Sequence, residues 1–145
     1  MTDSLDQVRD RRAGLRTAIG LVESALASPA PSRAKAWSED LHQQLEELSD
    51  ALERHIVTTE SPSGLLADIE AVAPRLAHRV EVTRRDHNRL RAELSKVLAS
   101  LPADEDGIAG VRDRVVDVLT GLVRHRQAGA DLVYEAYNVD IEGGD

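Results

Sequence analysis

The sequence predicts an all-α protein folded as an antiparallel, up-down-up-down four-helix bundle, and three observations carry that prediction. Aromatic residues make up 2% of the 145, with one Trp, two Tyr and no Phe. The core must then be built from Leu, Val, Ile and Ala, which argues against β-sandwiches and barrels, whose strands favour aromatic and β-branched side chains. Long segments carry apolar residues at steps of three and four, the period of an amphipathic helix. Breakers part these segments at Pro29, Pro31 and Ser32, at 61–64 (Ser-Pro-Ser-Gly) and at 102–107. Short connections favour antiparallel neighbours, and the length suits one domain over 1–145.

The first helix is expected over 4–28. The second covers 33–60, with Ser32 placed to cap it. A short helix over 65–73 follows, and Pro74, which cannot donate a helix hydrogen bond, separates it from the third long helix at 75–101. Asp104 or Asp106 can cap the last, over 107–139.

Each long helix has one core stripe. The first reads Leu5, Val8, Arg12, Leu15, Ile19, Val22, Leu26, and the second Trp37, Leu41, Leu45, Leu48, Leu52, His55, Thr59. The third reads Leu76, Val80, Thr83, His87, Leu90, Leu94, Val97, Leu101, and the last Val111, Val115, Val118, Leu122, His125, Gly129, Leu132, Ala136, Val139. Polar residues interrupt them at Arg12, at His55, at Thr83 and His87, and at His125. In an antiparallel bundle these places fall within ~12 Å of one another in height, given ~1.5 Å of rise per residue. They are compatible with one polar layer. A buried imidazole needs hydrogen-bond partners or a metal, and imidazole is the commonest metal ligand. His42 and His78 lie off the stripes and read as surface residues.

Composition narrows the function classes. Acids outnumber bases 26 to 18, for a net charge of −8, so no basic footprint for nucleic acid or anionic membrane is present. The absence of cysteine excludes disulfides, iron–sulfur clusters and thiol catalysis. No secretory signal and no apolar run of membrane-spanning length is visible, so the expected location is the cytoplasm. Paired carboxylates such as Glu46-Glu47 lie on outer faces, and no nucleophile triad or phosphate loop has a supporting strand–turn–helix context. These features lean against an enzyme and leave the question open. A homodimer or a protein partner is left open.

Several segments resemble a divergent, bacterial-type member of the hemerythrin-like, HHE cation-binding family. They are His55-Ile-Val-Thr-Thr-Glu60 with the following Gly64-Leu-Leu run, Ala73-Pro74-Arg75-Leu76, Arg85-Asp86-His87-Asn88-Arg89-Leu90, the stretch 122–137 with His125, Asp131, Tyr134, Glu135 and Tyr137, and the closing Val139-Asp140-Ile141. The resemblance covers roughly 37–141. It implies a four-helix bundle holding two irons through five His and two bridging carboxylates. That set is incomplete here. Arg12 stands in the slot of the first helix's His, Thr59 in that of the Glu, Thr83 in that of one His, and Ala130 in that of the Asp. Glu60 and Asp131 each come one residue late, ~140° and ~240° round the helix from the His they would accompany. A π-bulge, permitted by Gly129, would re-aim Asp131.

Three readings of the layer follow. One metal ion is held by His55, His87 and His125, with Glu60 or Asp131 assisting, and Fe, Zn, Cu and Ni all suit such donors. Alternatively, Arg12 replaces the metal and pairs with Glu60, Asp86 or Asp131. In the third reading the histidines are unrelated polar spots. Arg12, Thr83, Asp86, Tyr134 and Glu135 are the candidates to support the ligands or stand in for the metal. Iron, as one ion or two, is the cofactor the resemblance implies, and a metal-free interaction or regulatory module is the alternative. Without Phe to wall a dry pocket, sensing, storage or a vestigial site is expected ahead of reversible O₂ carriage.

Overall fold

The computed structural model describes residues 2–28 and 30–139, with side chains over 14–28 and 30–137. Four long helices form the bundle, α1 (Thr2–Ala27), α2 (Ala34–Glu60), α4 (Ala77–Ala99) and α5 (Ile108–Tyr134), with the short α3 (Leu65–Val72) between α2 and α4. No strand occurs among the described residues. None of their helices is long and apolar enough to cross a membrane.

The stripes become the core. Leu41, Leu45, Leu48 and Leu52 of α2, Leu90 and Leu94 of α4, and Leu122 of α5 are 0–1% exposed. Burying each such side chain is worth roughly 1.5–3 kcal/mol. Side chains at Leu5, Val8 and Arg12 lie outside the described ones, so α1 enters the core from Leu15 onward.

The antiparallel arrangement is fixed at one end by contacts between the loops. The Ser32 amide donates to Glu105 Oε1 (3.1 Å), the Ala103 amide to the buried Ser38 Oγ (2.8 Å), and Arg112 to the Ser28 carbonyl (3.2 Å). Those bonds gather the end of α1, the start of α2, the end of α4 and the start of α5. Arg112 also lies over the Trp37 ring, 5.3 Å from its centroid. Ser32 is not the cap of α2: its φ of 61° turns the chain, and Arg33 takes the cap position. Asp104 does cap, accepting from the Gly107 amide in the 3₁₀ turn that leads into α5 (2.9 Å). Pro74 opens a second 3₁₀ turn, Pro74–Leu76, ahead of α4.

At the other end the core divides. A large apolar cluster reaches up to Leu52, Ile56, Leu90 and Leu122. A smaller one joins α3, the start of α4 and the end of α5 through Leu65, Leu66, Ile69, Val80, Leu132 and Ala136. The polar layer lies between the two. α1 and α5 meet little, which leaves an open groove of about 830 Å³ between them, walled by Leu26, Val116, Leu119 and Val123.

Candidate metal centre

The 3–4 spacing that buries Leu52 and Leu90 also buries His55 of α2 and His87 of α4. His125 reaches the same level from α5, so three helices each contribute one ring. Their exposures are 6%, 0% and 5%. Ring centroids are 5.5 Å (His55–His87), 5.6 Å (His55–His125) and 4.7 Å (His87–His125), all edge-on. One nitrogen from each ring lies within 4.8 Å of the others.

Two carboxylates hold the outer nitrogens. His87 Nδ1 is 2.6 Å from Glu60 Oε2, and His125 Nδ1 is 2.7 Å from Asp86 Oδ2. The inner nitrogens, the Nε2 atoms of His87 and His125, then approach to 3.1 Å. Ionised carboxylates only accept, so each outer nitrogen donates. Neutral rings of that tautomer carry no proton on Nε2. Two lone pairs facing at 3.1 Å repel one another, and a cation between them would relieve that repulsion.

The supports continue outward. Arg89 holds Asp86 on the outer side and also reaches Glu93. Burial works to raise the Asp86 carboxyl, but the bonds from Arg89 and His125 prevail and hold it below the usual carboxylate range. Arg91 forks onto Glu53, tying α4 to α2 beside the layer. That bond, above all, holds Glu53 below its usual range. His87 is pushed down to about 3, first by burial and then by His125, against the pull of Asp86.

The remaining sequence candidates divide. Thr59 is buried, but its Oγ donates to the His55 and Ile56 carbonyls (2.9 and 3.3 Å). It is spent on its own helix rather than turned inward. Thr83 is half-buried beside the rings, and its Oγ donates to the Arg79 carbonyl (3.0 Å). Asp131 is exposed on the outside of α5, where Gln127 donates to it (3.0 Å). No π-bulge forms at Gly129. The π turn comes later, at Glu135–Val139, past the point where it could re-aim Asp131. Tyr134 faces solvent at 55% exposure. Glu135 pairs with Arg79, and its carbonyl accepts from Arg75, away from the rings. The Arg12 side chain lies outside the described residues. His42 pairs with Glu46 on the surface (3.5 Å) and His78 is exposed.

Sequence reasoning did not single out two features. Leu65, Leu66 and Ile69 of α3 close over the rings and leave a cavity of about 30 Å³ beside them. The apolar run after Gly64 was the available signal. Arg126 also lines this cavity, with a buried Nε that has no hydrogen-bond partner.

The donor set fits one ion. Three imidazole nitrogens suit a divalent transition metal, and a tetrahedral site with ~2.1 Å bonds places its nitrogens about 3.4 Å apart. The 3.1 Å pair is close to that spacing, and the full set, within 4.8 Å, must draw together to reach it. The donors do not fit a bridged pair of irons: among the described residues the converging group is His55, His87 and His125, with no carboxylate inside it.

No curated protein and no solved structure matches the chain. The family model described as the hemerythrin HHE cation binding domain matches residues 3–135. An all-α bundle with a buried histidine layer and a family match over nearly its whole length leave one conclusion: this chain belongs to the hemerythrin HHE cation-binding domain family.

Proposed function

We propose that this protein holds a single divalent transition-metal ion on His55, His87 and His125, with iron the first candidate, and serves in sensing or storage. The observation that carries the reading is the 3.1 Å approach of two inner nitrogens whose outer nitrogens are both engaged by carboxylates. A cation resolves that approach within a buried layer. The cavity of about 30 Å³ beside the rings exceeds the ~10–15 Å³ that holds one water, room for one small molecule such as O₂, NO or peroxide.

Metal analysis of protein purified without a histidine tag, followed by Co²⁺ titration in the visible range, tests this. One equivalent per chain is expected, lost in His87→Ala. With ferrous iron and air, the near-ultraviolet absorption of an oxo-bridged pair is not expected. A wild-type chain that takes up no metal overturns the proposal and leaves the bundle as a metal-free interaction module.

A further inference from the structure

We infer that Glu60 and Asp86, by gripping His87 and His125 from outside, set both the number and the charge of the ion: one divalent cation in place of the family's bridged pair. This rests on the metal reading above and deepens it. A bridging carboxylate must sit inside the ring of histidines, between two ions. Among the described residues, the two acids bonded to the layer sit on its outer side, each within 2.7 Å of an Nδ1. Glu60 ends α2 and grips a ring of α4, and Asp86 on α4 grips a ring of α5.

That position does two things. It fixes the tautomer, so the ring's inner nitrogen is the one left to ligate, and it makes that nitrogen a better donor. It also supplies charge. Three neutral imidazoles carry none, so the Glu60 and Asp86 carboxylates at the backs of two of them supply the negative charge that faces the ion, Asp86 sharing its own with Arg89. A second ion would find no further inward donor among the described residues and would add uncompensated charge in a buried layer.

The test compares wild type with Glu60→Gln and Asp86→Asn, which keep shape and remove charge. Co²⁺ binding is expected to weaken by roughly 10–100-fold in each, with stoichiometry unchanged at one. Glu60→Asp and Asp86→Glu should recover part of it. Nitrogen-15 spectra of the imidazoles in the Zn²⁺-loaded wild type provide a reading independent of any variant's folding. His87 and His125 should carry the proton on Nδ1 and the metal on Nε2. Wild type that binds Co²⁺ alongside equally tight Glu60→Gln and Asp86→Asn overturns this inference alone. Metal on Nδ1 does the same, whereas a stoichiometry of two overturns this inference and the single-ion reading together. Wild type that binds no Co²⁺ removes the metal reading and this inference together.

Discussion

His87 has no exposed surface, and its imidazole is held neutral in the folded chain. The Glu60 carboxylate is satisfied by that neutral ring's Nδ1–H and does not require an imidazolium. This gives the metal-free protein a defined pH dependence. An unfolded His takes up a proton near pH 6.5, whereas folded His87 does so only near 3. Between those values the unfolded state binds the extra proton, so stability is full above about 6.5 and falls as the pH drops toward 3. From pH 7 to 5 the His87 contribution to the loss is about 2 kcal/mol. Asp86, held low, stays ionised across that window, and its share is lost only at lower pH, as the pH falls through its own depressed value. Urea unfolding in chelator at pH 7 and 5 measures the difference, and His87→Leu should flatten it. Equal stability at the two values would show that folded His87 carries the charge. At this scale the sequence was readable where burial follows helical period. His55, His87 and His125 sit on their stripes because those stripes face inward. Asp86 was among the candidates, but its partner was not evident. It precedes His87 on α4 yet serves His125 on α5, and such cross-helix pairing depends on register that no single helix encodes.

Among the elements, the end of α2 decides how Glu60 is presented. The turn after it folds back so tightly that a Cβ on Gly64 would stand 2.5 Å from the Thr58 carbonyl oxygen and 2.8 Å from that of Thr59. These are backbone atoms and cannot swing aside. Gly64 is thus required by close approach and not by its φ, which is −87°. Gly64→Ala should cost about 1–3 kcal/mol, the usual price of overpacking, and should also weaken Co²⁺ binding by displacing Glu60. Thermal unfolding and Co²⁺ titration together check this. Unchanged values in both would show that the turn has slack. The contrast with α5 explains what the sequence did not reveal at this scale. Helix existence and the breaks were legible from period and from proline. The site of the π turn was not, because Gly129 merely permits a bulge, and the turn forms instead at 135–139, where α5 ends.

Across the whole molecule, the histidine layer separates a large apolar cluster from a small one. The small one holds α3, the start of α4 and the end of α5. Arg84 joins α4 to α3 through Glu70 (3.1 Å), and Arg79 joins α4 to the π turn through Glu135. Partly exposed pairs of this kind add little stability, so the smaller cluster rests mainly on its few apolar contacts. Segments of that kind open locally at lower free energy than the rest of a fold. With the three rings 0–6% exposed, an ion taken up there would have to enter through such an opening. Uptake would then be paced by the protein, not by encounter. Stopped-flow mixing with rising Co²⁺ should give a rate that levels off at high concentration, with Leu66→Ala raising the plateau. A rate that climbs linearly throughout would mean that the layer is reached directly. For a cation held in that layer, the same partition would make the small cluster a door, and the ion's residence time would follow from how often that door swings.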